Sequence, residues 1–209
     1  MSAYWFMFAF PLLMSVLPIK FTRSSNYKLL LAYSFICVLF IGLRFEVGGD
    51  WGVYLNRSLH IYTKDFNEIF FIPNPGDNLI SWISSRFGLG LVGTNIFYAM
   101  IFMFGLNKLC KEQPYPWLGY VVAFPYLIIV TSMGYSRQAI TIGLAFWCFV
   151  IWQKGEKYHE IKIIILTLIS ISFHKVGLLL LFFIFIQNKG KFINYIYVLI
   201  GIPIFILLF

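Results

Sequence analysis

The sequence predicts an all-α polytopic membrane protein of about eight transmembrane helices, with a polar extracytoplasmic loop carrying short amphipathic helices. Three observations predict it. Hydrophobic residues make up 60% of the 209-residue chain and charged residues only 11%, where soluble domains carry about a quarter charged. Mean hydropathy is +0.83. The apolar residues also stand in long runs divided by basic loops, not in the alternation of a β-barrel. A soluble enzyme, a disordered chain and a disulfide scaffold are excluded, because no soluble core hides this much Phe, Ile and Leu. Residues 1–209 read as a single integral-membrane domain.

The spans follow in order, each needing about 20 apolar residues, with 17 sufficient. Residues 3–19 form the first, and no Lys or Arg precedes them as a signal peptide would require. Lys20, Arg23 and Lys28 follow at once, which puts the 20–28 loop in the cytoplasm and the N-terminus outside. Residues 29–43 return outward. Residues 44–90 are a long polar-aromatic loop with four Lys/Arg and five Asp/Glu, the most acidic stretch of the chain. Within it, Asp77 after Asn74-Pro75-Gly76 reads as a turn and N-cap opening an amphipathic helix, 78–86.

Residues 91–109 run inward to Lys108 and Lys111, residues 116–132 outward to a break at Ser132-Met133-Gly134-Tyr135-Ser136, and residues 138–152 inward to Lys154, Lys157 and Lys162. The apolar stretch 161–186 holds His174-Lys175 near its middle. It is either one helix with a buried charge or two short helices meeting at His174. Basic flanks at 153–162 and 187–191 favour the hairpin. A last run, 192–209, leaves outward. The cytoplasmic loops then hold ten of the sixteen Lys/Arg, so the net charge of +8 sets topology rather than a nucleic-acid surface. No nucleic-acid partner is expected. Cys37, Cys110 and Cys148 lack metal-ligand spacing and read as reduced packing residues. No metal site or cofactor is expected.

On this topology three polar clusters face the same outer side: Arg44 to Tyr54, Ser136-Arg137-Gln138, and Phe173-His174-Lys175. In the first, Gly48-Gly49 suits a turn, Asp50 a helix cap, and Trp51 and Tyr54 an interfacial belt. Arg44 can snorkel from the end of its span. Arg137 opens an apolar helix, where an arginine costs about 2.5–3.5 kcal/mol to insert and usually faces a cavity. His174 is a titratable group between two apolar arms. Gly88-Leu89-Gly90-Leu91-Val92-Gly93 matches a dinucleotide-binding pattern. It lacks the strand before it and the acid about 20 residues after it, so its glycines bend the chain or allow close helix packing.

Four segments carry a resemblance: RFEVGGDWGVYL at 44–55, NPGDNLISWIS at 74–84, MGYSRQAITIG at 133–143 and SFHKVGLLLL at 172–181. Together and in this order they resemble the EpsG-like, Wzy-type polysaccharide polymerases, over about residues 29–186. Members are usually longer, so the resemblance implies a short or truncated relative. It implies a fold related to integral-membrane glycosyltransferases that use lipid-phosphate donors. It also implies polymerisation of O-antigen or exopolysaccharide repeat units on undecaprenyl diphosphate, at the outer face of the bacterial inner membrane.

The expected partners are an undecaprenyl-diphosphate-linked oligosaccharide, membrane lipid, and a chain-length regulator and flippase of the same pathway. Arg44, Arg137 and Lys175 suit the leaving diphosphate, because arginine forks hold phosphate oxygens. His174, Asp50 and Glu46 compete to be the base for the acceptor hydroxyl. Trp51 and Tyr54 can stack on sugar faces, and Gln138 can hydrogen-bond substrate. Two rival readings are a transporter or flippase for the same lipid-linked glycan, and a non-catalytic membrane subunit of an assembly complex.

Overall fold

A computed structural model describes residues 2–17, 21–155 and 157–185. The expected span at 192–209 and the basic flank at 187–191 lie outside the described residues. Every regular element among the described residues is helical.

The first two helices are α1 (Ser2–Val16) and α2 (Arg23–Gly42). Thr22 caps α2, its hydroxyl accepting from the Ser25 N–H at 3.2 Å. The polar loop then folds into α3 (Trp51–Tyr62), a 3₁₀ turn (Glu68–Phe70) and α4 (Pro75–Arg86). Next come α5 (Gly90–Lys111), then α6 (Pro116–Ala123), which continues without a break through a π-helical stretch (Phe124–Thr131) into α7 (Ser132–Gly134). Pro125 lies in the wide turns, where its missing N–H is most easily accommodated. After Tyr135 the chain reverses into α8 (Ser136–Lys154), closed by Gly155 at φ 58°, ψ 39°. The last elements are α9 (His159–Phe173), a 3₁₀ segment (Lys175–Leu181) and α10 (Phe182–Phe185).

Helix α5 is the axis of the bundle, packing on α2, α4 and α8. One core joins α2, α5 and α6 around Tyr33, Phe102, Tyr120 and Phe124. A second joins α5, α8 and α9 around Tyr98, Ile140, Leu144, Ile163 and Phe173. The backbones of α5 and α8 touch at Gly105 and Gly143. A Cβ on Gly143 would stand 2.6 Å from the Phe102 Cα, and one on Gly105 would strike the Gly143 carbonyl. Small residues are what permit such an approach between membrane helices. The 88–93 glycines do the structural work expected of them: Gly88 and Gly90 turn the chain at φ 73° and 49°, and Gly93 lies against Ser84. The three cysteines are buried free thiols.

Among the described residues, three helices are long and apolar enough to cross a membrane: Arg23–Gly42, Gly90–Lys111 and Pro116–Gly134. The expected count of about eight exceeds what the described helices supply. The 15 residues of α1 reach only about 22 Å, short of a hydrocarbon core of about 30 Å. The first turn of α8 is polar, Ser136-Arg137-Gln138. The 161–186 stretch is broken at His174, where the backbone is extended at φ −155°, ψ 137°, and the 3₁₀ segment packs back on α9.

Chain direction sorts the helix ends into two sets. One holds the start of α2, the α5–α6 turn and the α8–α9 turn, with Arg23, Lys108, Lys111, Lys154, Lys157 and Lys162. There Lys154 Nζ meets Glu112 Oε1 at 2.6 Å, and Lys111 lies 4.1 Å over the Tyr27 ring. The other holds the end of α2, the start of α5, the α7–α8 reversal and the end of α9, with α3 and α4 packed beside them. These are called the basic end and the polar end below.

Candidate functional site

At the polar end the organising residue is Asp77. Asn74 takes a left-handed turn at φ 63°, ψ 67°, and Pro75 opens α4, which places Asp77 in the first helical turn. A carboxylate is favoured there by the helix dipole. The side chain does not cap the helix as the sequence suggested: it is 2% exposed and turned into the bundle. Asp77 Oδ2 stands 2.8 Å from Arg57 Nε and 3.8 Å from Arg137 Nη1, and Oδ1 accepts the Tyr98 hydroxyl proton. Helices α3, α4, α5 and α8 thus meet on one carboxylate.

Asn78 fixes the surrounding loop. Its amide donates to the carbonyls of Ile69 at 2.9 Å and Ile72 at 3.0 Å, and its oxygen accepts from Arg57 Nη2 at 2.7 Å. Arg57 Nη2 also reaches the Pro73 carbonyl at 2.8 Å. Arg137 lies 5.3 Å over the Tyr54 ring, a cation–π distance. Phe173 packs edge-on against Tyr98 with ring centroids 6.0 Å apart, which brings the neighbouring His174 to this cluster. His174 feels both Arg137 and Asp77 electrostatically.

His174 is half-buried, and its pKa falls below the ordinary 6.5. Burial is the main cause, followed by the charges of Arg137 and Lys175, with Asp77 opposing. The ring is therefore neutral at pH 7. Its Nδ1 accepts the Val176 N–H at 3.3 Å, which leaves Nε2 to carry the single proton as a donor. In this arrangement the nitrogen that could take a proton, Nδ1, is engaged by the Val176 N–H.

Arg44 lies in the second layer. It is 6% exposed. Nη1 donates to the Ile41 and Ser132 carbonyls at 3.1 and 3.2 Å, and Nη2 donates to Asn95 Oδ1 at 3.2 Å and to the Ser136 hydroxyl. It ties α2, α5, α7 and α8 together beneath Arg137. That geometry makes Arg44 a brace between these helices. Asp50 precedes α3 half-buried, with no side-chain cap bond. Trp51 is half-buried against Phe45, Tyr54 is buried under Arg137, and Glu46, Gln138 and Lys175 are exposed. The structure thus gathers Arg137, Tyr54, His174 and Lys175 at one place.

Sequence reading passed over Arg57, Asn78, Asn95 and Tyr98, and took Asp77 for a helix cap. One signal was present for Arg57: Tyr54, Arg57, Ser58 and Ile61 fall on one helical face, and the other three are buried. An arginine on such a face needs a counter-charge. Three donors here, Arg44 Nε, Arg137 Nε and Asn95 Nδ2, are buried without a hydrogen-bond partner among the described residues, and Arg57 Nε has only its ion pair with Asp77; such groups call for explanation. Chemically, the cluster offers guanidinium and imidazole donors suited to an oxyanion. Among the described residues, no three His, Cys, Asp or Glu side chains converge as a metal site requires.

No curated protein and no solved structure matches the chain. The EpsG family profile matches residues 27–209, which include every residue of this polar-end cluster. On that match, covering most of its length, the chain belongs to the EpsG family.

Proposed function

We propose that the protein polymerises undecaprenyl-diphosphate-linked O-antigen or exopolysaccharide repeat units by glycosyl transfer, at the outer face of the bacterial inner membrane. Family membership supports a polysaccharide-related membrane protein. The observation that carries the finer reading is the pair of arginines, Arg57 and Arg137, converging on one buried carboxylate beside a neutral His174.

In the reaction an acceptor sugar hydroxyl attacks the anomeric carbon of the donor. The bond from that carbon to the diphosphate oxygen breaks, and undecaprenyl diphosphate leaves with the electron pair. Arg137 is the group best placed to receive this charge: one nitrogen is near Asp77 and its Nε is unpartnered among the described residues. His174 donates from Nε2 to a phosphate oxygen, and Lys175 adds charge at the rim. Asp50, whose carboxylate makes no cap bond, takes the hydroxyl proton. Asp77 and Arg57 hold Arg137 in position, with Arg44 beneath. Half-buried Trp51 supplies a face for a sugar ring, while Tyr54 lies under Arg137 and helps to hold it.

The test is extension of a purified lipid-linked repeat unit by the purified protein. A ladder of products that Arg137→Ala abolishes is expected. Movement of the substrate across a vesicle membrane without extension would instead make the protein a flippase. Extension dependent on an added second protein would make it a subunit.

A further inference from the structure

A groove of about 770 Å³ runs between α5, α8 and α9, away from the cluster just described. Ligand cavities usually fall between about 300 and 1,000 Å³. Met100 and Phe104 line it from α5, Leu144 and Trp147 from α8, and Ile165 and Ile169 from α9. Met100, Phe104, Ile165 and Ile169 are exposed, so the groove opens sideways from a helix apolar enough to span the bilayer. Its walls therefore suit a hydrocarbon chain.

The charged residues among its described lining are Lys108, in the last turn of α5, and Lys162, in the first turn of α9. Both lie at the basic end, on facing helices, and no acid is among the described lining residues. The Lys108 ammonium lies 4.4 Å from the Trp147 ring centre and 5.7 Å from that of Phe104, which holds it over the groove rather than out in solvent. One helical turn beyond the opposite end, Tyr98 and Phe173 are buried against each other and divide the groove from Asp77.

We propose that this groove seats an acyl chain of an anionic phospholipid from the leaflet at the basic end, with its headgroup phosphate against Lys108 and Lys162. The charge pattern selects this occupant. Basic sites between membrane helices collect acidic headgroups. A neutral lipid would gain nothing from two cations at one end, and a chain whose phosphate sat at Arg137 would place its charge at the wrong end. The site is independent of the glycosyl-transfer reading.

The full chain, purified in detergent, is titrated with phosphatidylglycerol or phosphatidylcholine of the same acyl length, and bound lipid is counted by native mass spectrometry. Phosphatidylglycerol should be retained preferentially. Lys108→Gln and Lys162→Gln should each weaken it by about fivefold, and Ile165→Trp, which fills the groove from an exposed wall, should displace it. Should Ile165→Trp lose its cooperative thermal unfolding, Ile169→Phe takes its place. Arg137→Ala should leave binding unchanged. Equal retention of both lipids, retention of neither, unchanged binding after the groove is filled, or loss with Arg137→Ala would each overturn the proposal.

Discussion

The two ends of the bundle carry similar numbers of cations and use them differently. At the basic end they are mostly lysines on turns, partnered at the surface: Lys154 with Glu112 at 2.6 Å, and Lys111 with the Tyr27 ring. Such exposed pairs contribute about 0–1 kcal/mol. At the polar end the inward-facing cations are arginines, and Arg44, Arg57 and Arg137 engage carbonyls, amides and one carboxylate that is 2% exposed. Removing one partner of a buried charge pair costs about 3–5 kcal/mol. A flexible ammonium in solvent suffices to orient a chain in a membrane. Chemistry on a charged substrate needs a planar fork held in one geometry.

The largest effect expected is all-or-none. If the basic end faces the cytoplasm, an impermeant thiol reagent added outside intact cells should label Lys64→Cys and leave Ser24→Cys unlabelled, in a background lacking the native cysteines. The reverse pattern would exchange the two faces and move the proposed reaction inside.

Asp77→Asn should come next. It leaves Arg57 and Arg137 buried without their counter-charge, which costs about 3–5 kcal/mol, read as a fall in the thermal unfolding midpoint in detergent. Restoring that midpoint with Asp77→Asn/Arg57→Gln, without restoring extension, would show that the carboxylate matters to Arg137 and not only to folding. Arg137→Lys should keep the fold and slow extension by about 10²–10³-fold. A normal product ladder would reduce Arg137 to an anchor for lipid headgroups.

Asp50 and His174 separate by substitution and by pH. Asp50→Asn should lower extension by about 10²–10⁴-fold, while His174→Gln, which keeps a donor, should retain most of it. The opposite ranking would return the base to His174. The folded His174 pKa lies below its unfolded value of 6.5, so the unfolded chain binds more protons at acid pH. Its stabilising contribution is then full above about 6.5 and is lost as pH falls through the folded value. His174→Gln should flatten that acid loss. The smallest effect belongs to the other end: Lys154→Ala should shift stability by at most about 1 kcal/mol and leave extension alone. A larger loss than that of Asp77→Asn would invert the contrast between the ends.

The chain's membrane class, the sorting of its lysines and acids to opposite helix ends, and the interruption at His174 could all be read in the sequence. Each is a local property. Apolar run length decides whether a helix suits lipid, and loop charge decides which end lies together with which. Membership of the family was legible too, because motif segments are contiguous in the chain. Tertiary structure decided which polar residues share a site. Asn95 and Ser136 lie 51 and 92 positions from Arg44, and Tyr98 lies 21 from Asp77. Hydropathy places a helix in the membrane but leaves its rotation free. The contact of Gly105 with Gly143 helps set the rotation of α5 against α8, and so which groups stand over Asp77. Asp77 therefore looked like a cap, and the contacts of Arg44 could not be read at all, because a charge shows its partner only when helices distant in sequence pack side by side and exclude water between them.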